Sequence, residues 1–177
     1  HAQVWAVLCG LEDIKTSKEL MKKSFGLKTV GGFAYAYHVF RALEAAECYQ
    51  LSEILMNKYY KLIDLDCTAI PEVFENPRSE CHGWGAVALY EFTAVILGVK
   101  SSDDAVLIKP YAENRDNAEG VVFTKHGKVY VKWIKKGAWF KIAVHAQKNV
   151  KIKVVLPDNT TVFGIGECNG TCELKGE

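Results

Sequence analysis

Over the first hundred residues the apolar positions recur at intervals of three and four. Ala36, Val39, Phe40, Leu43 and Ala46 form one such stripe and predict a helix over 33–47, opened by Gly31-Gly32. Leu51, Ile54, Leu55, Tyr59 and Leu62 form a second and predict a helix over 50–63. Residues 1–9 read as a helix stopped at Gly10, and 17–25 as a helix capped by Thr16 or Ser17 and ended by Gly26. A fifth helix follows His82, apolar at Trp84, Val87, Ala88, Val95 and Ile96 with Leu89 and Phe92 beside them, and closed by Gly98. Five helices with short connections imply antiparallel helical hairpins.

After Gly98 the pattern changes from helical to alternating. Lys128-Val-Tyr-Val-Lys-Trp133 and Lys151-Ile-Lys-Val-Val155 alternate polar and apolar, as half-buried strands do. Seven short strands are expected, at 105–111, 119–124, 128–135, 138–145, 150–156, 160–166 and 171–175. Turns are expected at His126-Gly127, Lys136-Gly137, Asp158-Asn159 and Asn169-Gly170. Strands at this interval imply an antiparallel β-sandwich. The polar stretch Ser101-Ser-Asp-Asp104 is the expected boundary, dividing a helical part, 1–103, from a sandwich, 104–177. The fold class read from the pattern is therefore α then β: helical hairpins followed by an antiparallel β-sandwich.

Charge changes this picture little. The 177 residues carry a net charge of +1, with a balance of −3 over 1–103 and +4 over 104–177. The excess in the second part is mostly lysine spaced along strands, which reads as a solvated strand face. No clustered arginine or stacking platform supports a nucleic-acid partner. No stretch reaches the ~18 apolar residues of a membrane span, so neither nucleic acid nor membrane is an expected partner. The chain starts without Met inside a helical pattern, which reads as a piece of something longer. Of six cysteines, those at 9, 48, 67 and 81 sit in helical or helix-edge sequence and read as reduced, buried thiols. Cys168 and Cys172 flank Asn-Gly, a turn that could bring their sulfurs face to face in a cross-hairpin disulfide. No His or Cys pair stands at metal-ligand spacing, and no cofactor is expected.

Chemistry-bearing residues concentrate between Cys67 and Tyr90. Glu72 follows Pro71, which fixes the chain just before it. It reads either as a solvated loop acid or as a general base that orients a water. Asp64, Asp66, Glu75 and Glu80 lie nearby, and two carboxylates with different tasks are what glycoside hydrolysis requires. His82 reads as a helix-start histidine bonded to backbone, or as a neutral hydrogen-bonding ring facing a pocket. Trp84 reads as core, or as a platform for a sugar ring. Ser79 lacks a glycine-rich elbow. Cys81 and His82 are adjacent in sequence, so their side chains point apart. Val30-Gly-Gly-Phe33 lacks the lysine and glycine spacing of a phosphate loop.

Three stretches together resemble the end of the catalytic barrel of bacterial α-L-rhamnosidases, glycoside hydrolase family 78 of the six-hairpin glycosidases. They are Thr68-Ala-Ile-Pro-Glu72-Val-Phe74, Arg78-Ser-Glu-Cys-His82-Gly-Trp84 and Leu89-Tyr90-Glu91. His1-Ala-Gln-Val-Trp-Ala-Val-Leu-Cys-Gly10-Leu11 resembles an earlier helix of that barrel, and Leu97-Gly98-Val99 the step into the family's C-terminal sandwich. The resemblance implies part of an (α/α)6 barrel followed by that sandwich, in an inverting hydrolase of rhamnosylated glycosides. It implies Glu72 as general base and His82 and Trp84 as substrate contacts. The general acid lies far upstream in the family's barrel and is outside this chain, so the chain alone should be inactive. Helix faces meant for absent neighbours invite self-association, and a bacterial cytoplasm is the favoured compartment. Two rivals stand beside this reading. One is a non-catalytic carbohydrate-binding or scaffolding piece; the other is a different six-hairpin glycosidase or a phosphorylase, for which Arg78 is the one basic neighbour of Glu72.

Overall fold

A computed structural model of the chain describes residues 1–25, 32–76 and 79–174. Gly26, Gly31 and Arg78, each given a part in the sequence reading, lie outside the described residues. The chain divides into two compact units, His1–Leu89 and Tyr90–Glu177.

The first unit is built from α1 (Ala2–Leu8), α2 (Ile14–Phe25), α3 (Phe33–Ala45) and α4 (Ser52–Asp64). All five residues of the α3 stripe are buried, with Phe33 and Ala42 beside them. On α4, Leu55, Met56, Tyr59 and Leu62 are buried while Ile54 faces outward, because the inward stripe runs through 55, 59 and 62. His1 stacks on Tyr35 at 3.8 Å and Trp5 on His38 at 4.8 Å, so α1 and α3 run in the same direction. The cap of α2 is Asp13 rather than Thr16 or Ser17: its Oδ1 accepts from the Thr16 N–H at 2.7 Å. That bond, with the N–H of Lys15 assisting, holds the Asp13 carboxyl below its ordinary value.

The expected fifth helix is three short pieces: a 3-10 turn at Gly83–Gly85, α5 (Val87–Glu91) and a π-helical turn at Phe92–Ile96. The breaks rotate the apolar stripe, so Trp84 and Leu89 are exposed while Ala94, Val95 and Ile96 are buried. Among the described residues Glu91, where α5 meets the π-turn, is the only buried charged side chain.

The second unit holds one eight-stranded sheet: β1 (Val99–Ser101), β2 (Val106–Ile108), β3 (Asn117–Thr124), β4 (Gly127–Lys136), β5 (Trp139–His145), β6 (Lys151–Val155), β7 (Thr161–Ile165) and β8 (Glu167–Glu173). Their order is β1-β2-β6-β7-β8-β5-β4-β3, antiparallel except for β2 beside β6. β7 meets β8 through one register pair, Ile165 with Glu167, around Gly166 at φ +70°. The sheet bends there into two four-stranded halves. Ile108, Ile152, Val154 and Leu156 are buried on one half, and Val131, Trp133, Phe140, Ile142 and Val144 on the other. Gly170 of β8 packs so close to Leu156 that an added Cβ would sit 3.0 Å from it. Helices followed by an antiparallel sheet is thus the observed order.

Several details differ from the pattern reading. Residues 102–105 form the loop between β1 and β2, so the sheet starts before the expected boundary. Among the described residues the strands number eight, because Val99–Ser101 pairs with β2. Asn169-Gly170 is no turn. Both residues lie inside β8, paired with Ala143 and Ile142. The missing side chain at Gly170 makes room for Leu156 and Ile142 instead of enabling a reversal. Cys168 and Cys172 therefore share one strand and one buried face, and both are free thiols, as are the other four cysteines. Cys48 is buried, Cys67 half-buried, and Cys9 and Cys81 are exposed. Lys128, Lys132, Lys141, Lys151 and Lys153 all face solvent, as a solvated strand face requires. No helix among the described residues is long and apolar enough to cross a membrane.

Candidate functional site

The stretch from Cys67 to Trp84 folds as an irregular loop held against the first turn of α3. The Glu72 carbonyl accepts from the Phe33 N–H at 3.3 Å. It thereby satisfies one of the four N–H groups that a helix start leaves without an intrahelical acceptor. The return of the loop is tied by the His82 N–H, which donates to the Ile70 carbonyl at 3.0 Å. Pro71 is buried between these two ties. Beneath the loop, the Phe33 ring stands edge-on to Phe74 at 4.3 Å and to Tyr59 at 4.7 Å, and Lys58 Nζ lies 4.7 Å from the Phe74 ring centre.

Two of the five described non-glycine residues at positive φ lie in this loop, Asn76 (+49°) and Ser79 (+58°), and a third, Asp66 (+53°), immediately precedes it. Aspartate and asparagine adopt this region with little penalty, whereas serine does so at some cost. The twist at Ser79 aims its carbonyl at His82, and the carbonyl accepts from the Cys81 N–H at 2.8 Å and from His82 Nδ1 at 2.6 Å. A carbonyl can only accept, so Nδ1 carries a proton, and in the neutral ring Nε2 is left as an acceptor. His82 and Trp84 touch edge-on, ring centres 4.6 Å apart. Trp84 is 62% exposed, which removes the core reading and leaves its ring face open. Glu72 is exposed, and among the described residues none donates a hydrogen bond to its carboxylate.

The other acids divide by task. Glu80 Oε2 accepts from the Thr68 N–H at 3.1 Å and so braces the loop. Partial burial, together with the charge and hydrogen bonding of Glu80, holds the Cys67 thiol above its ordinary value, a poor setting for a thiolate nucleophile. Among the described residues no cluster of His, Cys, Asp and Glu could hold a metal ion. Two concavities of about 500 and 470 Å³ lie on the second unit, and neither is lined by Glu72, His82 or Trp84. The structure therefore joins His82 to Trp84 directly, and ties Glu72 to the same loop through backbone. Sequence reasoning missed Gly32, Phe33, Ile70 and Ser79 as supports. The available signal was Gly-Gly-Phe33, a poor phosphate loop whose small residues needed another explanation.

The sequence matches no family model and no curated protein. Solved structures do match. The α-L-rhamnosidase of Streptomyces avermitilis, solved in complex with L-rhamnose, superposes with a TM-score of 0.75 at 17% identity, covering 97% of this chain. The fold is one shared with α-L-rhamnosidases. The α-L-rhamnosidase of Dictyoglumus thermophilum gives a TM-score of 0.68 at 17% identity over 80% of the chain. The chain spans 21% of the length of either enzyme, so it corresponds to about a fifth of a rhamnosidase.

Proposed function

We propose that this chain is the C-terminal part of an inverting glycoside hydrolase that removes terminal α-L-rhamnose from glycosides. The observation that supports this reading most is the fold match over 97% of the chain to a rhamnosidase holding L-rhamnose. The exposed Glu72 and the His82–Trp84 pair on one braced loop agree with it. In this reading residues 1–103 contribute helices to an (α/α)6 barrel completed elsewhere in the enzyme, and 104–177 form the C-terminal sandwich.

Glu72 acts as general base. Its carboxylate takes a proton from a water that attacks the anomeric carbon on the face opposite the leaving oxygen. A carboxylic acid from outside this chain gives its proton to that oxygen as the glycosidic bond breaks, and the configuration inverts. The two carboxyl groups of such a pair stand about 6.5–9.5 Å apart to admit the water. His82, its Nδ1 proton engaged by Ser79, offers Nε2 to a sugar hydroxyl. Trp84 offers its open face to the apolar face of the ring.

The test is release of p-nitrophenol from its α-L-rhamnoside by the full-length enzyme, wild type against Glu72→Gln. Loss of about three orders of magnitude in kcat with unchanged thermal unfolding is expected, since general base catalysis is worth about 10²–10⁴. This chain alone should give no turnover. Near-wild-type activity of Glu72→Gln would place the base elsewhere. A silent parent that cleaves other glycosides would reduce the likeness to one of fold.

A further inference from the structure

Two glycines on the candidate site's framework stand where no side chain fits, and neither is required by its φ. Gly32 has φ −59° and ψ −177°, open to any residue. A Cβ added there would nonetheless lie 2.4 Å from the Glu72 carbonyl oxygen and 3.5 Å from its carbon. Those are backbone atoms, which cannot swing aside as a side-chain tip can. Gly85, on the other limb of the loop, would place a Cβ 2.3 Å from Ile70 Cγ2 and 2.9 Å from Phe33 Cβ. Gly83, between His82 and Trp84, has open space at the same position.

These contacts converge on the first turn of α3. Phe33 donates its N–H to Glu72, lays its ring on Phe74 two residues further on, and presses its Cβ against Gly85, one residue past Trp84. Ile70 completes the link, bonding His82 by its carbonyl and touching Gly85 by its side chain. We infer that Gly32 and Phe33 are positioning residues that set the reach of Glu72 relative to the His82–Trp84 pair. They act through the Glu72 carbonyl on one side and through Gly85 on the other. The inference rests on the reading of Glu72 as the base. It explains why the loop approaches the helix at a glycine: the approach brings the carbonyl into bonding range of a helix-start N–H and so fixes the backbone from which the Glu72 side chain starts.

The experiment compares Gly32→Ala, Phe33→Leu, Gly83→Ala and Glu72→Gln in the full-length enzyme, with kcat and KM measured separately on the p-nitrophenyl α-L-rhamnoside. Misplacing a catalytic group by about 1 Å costs on the order of 100-fold. Gly32→Ala is expected to lower kcat by about 10- to 100-fold with KM within about twofold, because the carboxylate is misplaced relative to the His82–Trp84 pair while substrate binding is kept. Phe33→Leu keeps the N–H bond and loses the ring contacts, so a smaller fall in kcat with the same unmoved KM is expected. Gly83→Ala should match wild type. A wild-type kcat in Gly32→Ala, while Glu72→Gln is dead, overturns the positioning role and leaves the base assignment intact. An active Glu72→Gln removes the assignment itself. Should Gly32→Ala not fold, Phe33→Leu carries the decision: a fall in kcat alone supports the role, and a wild-type kcat ends it.

Discussion

In the sheet unit, large outward apolar side chains stand beside lysines. Lys128 Nζ lies 5.4 Å from the ring centre of Phe123, and Phe163 and Ile165 pair in register with Lys153 and Lys151. In the helical unit, Leu11 and Ile63 are each 73% exposed, Leu89 70% and Leu65 58%. The difference follows from geometry. A sheet bent on itself closes its own core, and its outward side chains, Phe123 at 76% exposure and Phe163 at 72% among them, stand in solvent singly between the lysines. A helix has several faces, and a pair of helical hairpins leaves some of them open until further helices arrive. The sheet unit thus reads as a finished fold, and the helical unit as one that the proposed barrel would complete.

The sharpest way to break this comparison is to cut into the sheet core. Trp133 is fully buried, stacks near Phe140 at 5.7 Å and donates its indole N–H to the Ile96 carbonyl at 3.0 Å. Trp133→Ala should cost about 3–5 kcal/mol, from the cavity and the orphaned carbonyl together. Chemical denaturation followed at the sheet signal measures it, and a loss below about 1 kcal/mol would mean the sheet does not hold itself together. Gly98→Ala comes next. Gly98 has φ +78°, and an added Cβ would lie 2.2 Å from the Lys109 carbonyl group. Left-handed strain and overpacking of backbone together should cost about 2–3 kcal/mol. A neutral result would show that the β1–β2 register, which runs past this contact, can slide freely.

What was legible in the sequence follows the same divide. Strict alternation marked β4 and β6, because one face of each is buried and the other wet. The α3 stripe was equally plain. Two of the failures share one cause, that a glycine's reason is invisible without its neighbours. Gly98 read as a helix stop but also makes room for Lys109, and Gly170 read as a turn but makes room for Leu156. Around the candidate site the residue types Glu72, His82 and Trp84 stood out. Their supports at Gly32, Phe33 and Ile70 did not, because Gly32 and Phe33 meet Glu72 about 40 positions along and Ile70 meets His82 and Gly85 more than ten positions along, and no local pattern carries such contacts. The broken fifth helix was hidden because α-helical, 3-10 and π-helical turns share nearly the same apolar spacing over so few residues.

A gentler test reads the open helical faces directly. Leu11→Lys with Ile63→Lys should leave stability within about 0.5 kcal/mol, since neither side chain is buried. The same pair should reduce concentration-dependent association of the chain, read by light scattering across a dilution series. Unchanged association would show that these faces are not what draws copies together.

The smallest effect separates the units by pH. In the helical unit, backbone and hydroxyl bonds from Thr16 hold the Asp13 carboxyl below its ordinary value. In the sheet unit, the Lys132 ammonium and the Tyr130 hydroxyl do the same for Glu119, with Lys132 Nζ at 2.8 Å and Tyr130 Oη at 2.7 Å. A depressed carboxyl contributes stability that is present above its unfolded value and lost as pH falls through the folded one, so both units should weaken below about pH 4. The sheet cluster has a second edge. Glu119 also raises Lys132 and Tyr130, whose contributions are present below their unfolded values and are lost as pH rises past about 10. Thermal unfolding against pH should therefore show a plateau with two shoulders for the sheet signal and an acid shoulder for the cap of α2. Lys132→Met should shrink the acid shoulder of the sheet and leave the part of the alkaline shoulder that Tyr130 contributes through Glu119. Asp13→Asn keeps the acceptor for Thr16 while removing the titration, so it should flatten only the acid shoulder of the helices. An alkaline shoulder that survives Lys132→Met combined with Tyr130→Phe would assign it to other lysines of the strand face and dissolve this last distinction between the units.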